Sequence, residues 1–165
     1  MNPEYSNFSL ARFALGVALL FGGVAHAADG AKAPIGGDAL AWSESELQRI
    51  VQADDLKVSP FREDGVTYGT PTWVWCVEVD GSLYVRAYNG VKSSWYQAAV
   101  REKAGRIIAA GMTREVFFEP VTGVVNDRID DAYRVKCRSS PYMEPMISER
   151  SRAATVRIIP KEAGN

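Results

Sequence analysis

The chain has 165 residues, 47% of them hydrophobic, and its 19 Lys and Arg are balanced by 20 Asp and Glu for a formal charge of -1. That length holds one ordinary domain with enough chain to bury a core. The near-neutral, mixed charge supplies no basic face for nucleic acid or for an anionic membrane surface, so neither is expected as a partner.

At the N-terminus, Arg12 precedes an apolar run over residues 13–24, and Ala25-His26-Ala27 puts small residues at the two positions a signal peptidase reads. The run falls short of the roughly 20 apolar residues of a spanning helix. Residues 1–27 are therefore expected to be a signal peptide and the product periplasmic or secreted, with no membrane attachment beyond that segment. His26 is the only histidine. Cleavage after Ala27 would remove it, and with it Ser-His and Cys-His catalysis and His-based metal sites. No metal site is expected, and no catalytic residue is identified. Cys76 and Cys137 are the only cysteines; in an oxidising compartment they suit a disulfide, and equally two buried thiols.

Residues 28–41, rich in Ala, Gly and Asp, read as a flexible start to the exported chain, leaving residues 42–165 as a single domain. Ser43 and Glu46 have capping-box spacing, with Trp42 and Leu47 at the staple positions, and the stripe Leu47, Ile50, Val51 predicts a helix over about 44–54. Residues 56–59 read as a strand stopped by Pro60, and Glu63-Asp64-Gly65 as a turn. In residues 72–79, Trp73, Trp75, Val77 and Val79 share one face while Val74 and Cys76 make the other apolar too, so this strand is expected to be covered on both sides. Asp80-Gly81 is the strongest hairpin signal. Residues 82–88 return from it with Leu83, Val85 and Ala87 opposite Tyr84, Arg86 and Tyr88. A helix over about 94–104 follows, capped by Ser93 or Ser94, packing Trp95, Ala98 and Ala99 inward and stopped by Gly105. Residues 106–110 and 114–121 form another hairpin. Asn126 or Asp127 opens a last helix with the inward stripe Ile129, Ala132, Tyr133, Cys137, and residues 154–159 are the closing strand. Five or six hairpin-connected strands with three outer helices predict a small α+β antiparallel barrel. A flat two-layer sheet is the alternative, and the doubly covered strand favours the barrel.

Arg86, flanked by Tyr84 and Tyr88, is placed to pair with a phosphate or carboxylate while the rings stack on a planar ligand; an exposed strand face gives the same pattern. Lys92 precedes a helix N-terminus whose amides at Ser94, Trp95 and Tyr96 form a weak anion site. Thr70 and Thr72 flank Pro71 and offer hydroxyls to a ligand edge, although a strand entry at proline has its own backbone reason. Trp73, Trp75 and Trp95 suit a core or a dimer interface, with Trp95 the best candidate for ring stacking. Asp127, Asp130 and Asp131 read as a solvated helix start rather than a metal cluster. Ser148-Glu149-Arg150 fits either a buried ion pair or a surface turn.

Between Ser59 and Pro160 the motifs Ser59-Pro60-Phe61-Arg62, Tyr68-Gly69-Thr70-Pro71-Thr72-Trp73, Leu83-Tyr84-Val85-Arg86-Ala87-Tyr88-Asn89-Gly90, Ser94-Trp95-Tyr96, Ser139-Ser140-Pro141-Tyr142 and Ala153-Ala154-Thr155-Val156-Arg157 resemble an uncharacterised bacterial family, the domain of unknown function DUF2255, which has no assigned activity. More remotely, the order of Gly-x-Pro entry, aromatic strand, Asp-Gly hairpin and Trp-Tyr helix is similar to split-barrel flavoproteins of the deazaflavin-dependent nitroreductase type, in which a Trp-Tyr pair like Trp95-Tyr96 begins the same helix. That likeness implies a six-stranded split barrel, often a homodimer, holding FMN or a deazaflavin. The loop over residues 62–70 lacks the small and basic residues those enzymes place there. The expectation is an exported split-barrel protein whose Thr70, Thr72, Tyr84, Arg86, Tyr88, Lys92 and Trp95 bind a flavin-like or other planar anionic small molecule, with any redox chemistry supplied by the cofactor. The alternative is a non-catalytic periplasmic module that binds a small molecule or a protein.

Overall fold

In the computed structural model, which describes residues 40–162, the first helix, α1 (Glu44–Ala53), begins at a complete capping box. Ser43 Oγ accepts the Glu46 amide, and the Glu46 carboxylate accepts the Ser43 amide in return. Glu46 is buried and also pairs with Arg114. Burial by itself would raise its pKa, but the hydrogen bonds from Ser43 and Arg114 outweigh that and hold it below the ordinary value. Trp42 and Leu47 both lie in the main apolar cluster, and Trp42 Nε1 donates to the Ile158 carbonyl at 2.8 Å. The expected signal segment, residues 1–27, and residues 28–39 lie outside the described residues.

Seven antiparallel strands follow: β1 (Lys57–Pro60), β2 (Thr72–Trp73), β3 (Cys76–Val79), β4 (Ser82–Arg86), β5 (Ala104–Ala109), β6 (Met112–Pro120) and β7 (Thr155–Pro160). Their order is β2-β1-β5-β6-β7-β4-β3, so the two edge strands are consecutive in the chain and separated only by Val74 and Trp75. A flat sheet of this width would hold its edges roughly 29 Å apart at about 4.8 Å per strand. The step from Trp73 to Cys76 reaches about 11 Å at most. The sheet is therefore curled into a half-barrel, and the α+β barrel expectation holds over the flat alternative.

The strand count differs from the expected six because residues 72–79 form two strands. The segment is shared between partners offset along it, Trp73 opposite Lys57 on β1 and Cys76 opposite Val85 on β4, with the bend at Val74 and Trp75 in between. Asp80-Gly81 makes the β3-β4 hairpin as expected, both residues at positive φ (52° and 71°), as a tight turn of matching twist requires. The doubly covered strand is also as expected. Val74 and Cys76 join Val58, Val85, Ile107, Val116 and Ile158 inside the barrel, together with Leu47 and Ile50 of α1. Val77 and Val79 face outward with Tyr84 into a second cluster under α3 (Val125–Lys136), built on Ile129, Tyr133 and Cys137.

One turn of 3-10 helix (Gly90–Lys92) leads into α2 (Ser94–Glu102), whose Trp95 and Ala99 reach the barrel interior. The helix stop is not Gly105 but Lys103, which takes the left-handed cap at φ 57°. Gly105 serves β5 instead: a Cβ there would meet the Ser59 carbonyl oxygen at 2.5 Å and Pro60 Cα at 2.6 Å, so only glycine lets the two strands run this close. Two short helices absent from the sequence reading, α4 (Met143–Ile147) and α5 (Glu149–Arg152), bring the total to five α-helices among the described residues. None is long and apolar enough to cross a membrane.

Cys76 and Cys137 are both free thiols, one in the barrel interior and the other in the cluster under α3. Burial pushes the Cys76 thiol up to about 11, with the Lys136 ammonium, 4.0 Å from Sγ, working in the other direction; burial raises Cys137 as well. At pH 8 a thiol of that pKa is ionised in roughly one molecule per thousand. A thiol-specific disulfide reagent should therefore leave both cysteines unlabelled in the folded protein over minutes and label both promptly in guanidinium. Rapid labelling of Cys76 in the native state would mean that the barrel opens at β3.

Candidate functional site

Strand alternation sends Leu83 and Val85 of β4 into the barrel and Tyr84 and Arg86 to the outer face. That outer face is not open to a ligand, because α3 covers it. Arg86 is 1% exposed, and all five of its guanidinium N–H donors are taken by the protein. Nε donates to Thr155 Oγ1 (3.0 Å), Nη1 to Asp130 Oδ1 (2.5 Å) and the Met146 carbonyl (3.0 Å), and Nη2 to the carbonyl (3.2 Å) and Oδ1 (2.8 Å) of Asn126. The second Asp130 oxygen pairs with Arg152, which also reaches Asp127 at 2.8 Å.

Asp130 is therefore a buried counter-ion rather than part of a solvated helix start, while Asp127 and Asp131 are exposed as expected. The sequence did carry the signal. Asn126 and Asp130 are four apart on the same stripe as Ile129 and Tyr133, so a helix that buries one set buries the other. The same helix covers Tyr84, which is 6% exposed.

A cleft opens beside this network, at the seam where the curled sheet fails to close. Its volume is about 490 Å³, and the four residues that cross the seam, Thr72 through Trp75, all line it. Trp73 and Trp75 meet edge to face with ring centroids 5.3 Å apart; Tyr142, entering α4, lies 6.0 Å from Trp75 and 6.0 Å from Tyr88. Trp95 completes the aromatic wall. The rim is partly open, with Trp73, Tyr88 and Tyr142 at 47%, 39% and 53% exposure. Polar groups at the cleft are neutral apart from the edge of Arg86: Thr72, Asn89, Ser93 and Ser94. Ser93 is the N-cap of α2 by backbone conformation, yet its side chain makes no capping bond, so its hydroxyl and the first-turn amides have no acceptor within the helix.

Of the residues expected to bind a ligand, Thr72, Arg86, Tyr88 and Trp95 line this cleft, as do Trp73 and Trp75, which the sequence suited to a core or a dimer interface. Thr70 lies in a neighbouring crevice that shares Thr72, Ser94 and Trp95 with it and adds Arg62 and Arg101. Tyr84 and Lys92 line neither. Tyr142 and Met146 were not among the residues the sequence pointed to; they sit about 50 residues beyond Trp95 in the chain, and nothing local marks them as its neighbours. No group of three metal-ligating side chains occurs among the described residues.

The chain belongs to a family of uncharacterised proteins conserved in bacteria, DUF2255, which matches residues 46–158. No curated protein sequence is similar to it. Among solved structures, a Listeria innocua protein with the provisional designation pyridoxamine 5'-phosphate oxidase superposes with a TM-score of 0.50 at 9% identity, over 72% of this chain and 92% of that one. A conserved hypothetical protein of Mycobacterium tuberculosis gives 0.47 at 15% identity, over 73% and 81%. At such identities the first likeness is one of fold, and it agrees with the split-barrel expectation.

Removing one partner of a buried ion pair strands the other charge and costs about 3–5 kcal/mol. Asp130→Leu strands Arg86 and should lower the urea-unfolding free energy by an amount of that order; Arg86→Met leaves Asp130 paired with Arg152 and should cost less, and the double variant should recover part of the Asp130→Leu loss. Unchanged stability of Arg86→Met with loss of ligand binding would instead return Arg86 to the ligand.

Proposed function

We propose that the protein binds a planar aromatic ligand with an anionic group, of the FMN or deazaflavin kind, in the aromatic cleft at the barrel seam. The observation that carries this reading is the meeting of Trp73, Trp75, Tyr88, Trp95 and Tyr142 with an uncapped helix N-terminus around one cavity of about 490 Å³. That volume falls within the roughly 300–1,000 Å³ of small-molecule sites. In this reading the ring faces stack on the ligand, and Ser93 Oγ with the amides of Ser94 and Trp95 holds the anion, a role the spent Arg86 guanidinium does not fill. The designation of the Listeria innocua neighbour, which names a phosphate-bearing aromatic compound, supports the same ligand class.

A bound flavin or deazaflavin would supply hydride or electron transfer. The chain's own contribution is stacking, anion binding and exclusion of water. A non-catalytic binding module is the second reading. One observation favours it: among the described residues no Asp, Glu, His, Cys or Lys lines the cleft, so none of them brings a carboxylate, imidazole or amine to move a proton there. Export belongs to this proposal too, on the strength of residues 12–27. Protein recovered from the periplasm should begin at Ala28 by mass spectrometry, and a full-length product confined to the cytoplasm would remove that part.

Titration of the purified protein with FMN, a deazaflavin and riboflavin, followed by tryptophan quenching, tests the ligand class. FMN should bind saturably and riboflavin, which lacks the phosphate, about tenfold or more weakly. Tyr88→Ala should weaken FMN by roughly three- to tenfold through lost stacking. Equal affinity for FMN and riboflavin would remove the anion site, and no saturable binding of any of the three would leave the second reading standing.

A further inference from the structure

Residues 148–153, which comprise α5 and its two flanks, brace the α4, Tyr88 and α2 sides of the aromatic cleft while lining none of it. Ser151 Oγ is within hydrogen-bond reach of the Pro145 carbonyl on α4 (2.8 Å) and of the Tyr88 carbonyl (3.3 Å), and Ser148 Oγ donates to the same Pro145 carbonyl at 2.7 Å. The Arg150 guanidinium lies over the Tyr88 ring, 5.5 Å from its centroid. Arg150 also packs so closely on Gly90 that a Cβ there would come within 2.6 Å of its side chain and 2.8 Å of its carbonyl oxygen. The Ala153 carbonyl accepts the Tyr96 hydroxyl of α2 at 3.3 Å. Arg152 joins Asp127 to Asp130, and Asp130 holds Arg86, whose Nη1 also donates to the Met146 carbonyl.

We infer that residues 148–153 act as a clasp that sets the width of the aromatic cleft, with Arg152 as its latch and as a positioning residue for the site. The hydrogen bonds that the clasp makes to α2, α4 and Tyr88 are neutral and end on backbone carbonyls. Arg152 is its charged tether to α3. That tether is within reach of solvent, because the Arg152 side chain is 32% exposed and Asp127 70% exposed, while Asp130 is buried. Helix α4 has five residues, too few to hold a conformation without tertiary contacts. Release of Arg152 leaves Arg86 and Asp130 paired, so the scaffold under α3 stays in place. It loosens α5 and with it the Ser148 and Ser151 contacts that brace Pro145, while the Met146 carbonyl stays on Arg86, so the N-terminal end of α4 turns about Met146 and carries Tyr142. The gap between Tyr142 and Tyr88 is the part of the wall that then widens. This inference takes its functional meaning from the ligand site proposed above, since a closed clasp brings both tyrosines onto a bound ring, and a bound ring must in turn hold the clasp shut.

Hydrogen exchange of the full chain without ligand, read by mass spectrometry, tests the clasp independently of ligand identity. In Arg152→Met, residues 143–153 should exchange about tenfold or more faster than in the wild type while β5 and β6 are unchanged. Arg152→Lys, which retains one ionic arm, should fall between. Asp127→Asn, which removes only the outer arm, should show a smaller acceleration at the same residues and serves if Arg152→Met fails to fold. Wild-type exchange over residues 143–153 in the variants, or equal acceleration in every element, would overturn the inference by making Arg152 inert or merely stabilising. Failure of FMN to bind the wild type would sink the ligand reading and leave the exchange result to decide the clasp. If FMN does bind, unchanged affinity in Arg152→Met would overturn the coupling to cleft width.

Discussion

The Arg86 guanidinium is buried, and the arrangement of half the molecule follows from that. Taking such an ion out of solvent costs several kcal/mol even after relaxation, and the cost is met only when every donor finds an acceptor. Arg86 extends from β4. Its acceptors come from Asn126 and Asp130 on α3, Met146 on α4 and Thr155 on β7. Displacing any one of these elements would orphan a buried donor, so they are fixed relative to one another by a single side chain. Asn126 Oδ1 reinforces this by also accepting Thr155 Oγ1 at 2.8 Å.

The second constraint is topological. Two consecutive strands on opposite edges of one sheet force it to curl, but β2 and β3 are not paired with each other, so the curl leaves a seam. Thr72, Trp73, Val74 and Trp75 run along that seam, and their side chains divide between the interior and the rim: Val74 is buried, and Trp73 is half exposed. A gap in a hydrogen-bonded sheet exposes backbone and needs large side chains to screen it from water. Tryptophan does this with an apolar body and one donor, and Trp73 Nε1 spends its donor on the Asp54 carbonyl at 3.1 Å. The aromatic character of the cleft is thus a consequence of how the barrel closes as well as a property a ligand could use.

Local features were readable from residues alone, because capping, tight turns and alternation depend on neighbours in sequence. The Ser43-Glu46 box, the Asp80-Gly81 hairpin and the two-sided burial of residues 76–79 are of this kind. What escaped was set by distant parts of the chain. The outward face of Tyr84 and Arg86 was legible, but its cover was not, since α3 arrives some 40 residues later and brings its own carboxylate. An arginine between two tyrosines looks the same in sequence whether its partner is a ligand phosphate or Asp130. The break at Val74 and Trp75 was hidden for a related reason: alternation continues through it, and only the offset of the two partner strands shows that the segment cannot be one strand. Helices α4 and α5 gave no periodic signal because five and four residues are too few to display one.

These two constraints divide the chemistry of the molecule. The buried network gathers two arginines and the carboxylate of Asp130 into the scaffold, and what remains around the seam is aromatic rings, hydroxyls, an amide and a helix N-terminus. A site so composed discriminates by ring shape, stacking and one weakly polar end, and little by charge. Its geometry nevertheless depends on charge at one remove, because the carbonyl of Met146, on the cleft wall, is held by the same guanidinium nitrogen that pairs with Asp130. A substitution in the network would therefore reach the cleft without touching anything bound there. The converse also follows: the exposed rim residues Tyr88 and Tyr142 can vary with little cost to the fold, since neither carries a buried charge or fills the barrel, which leaves that side of the rim free to be shaped by whatever occupies it.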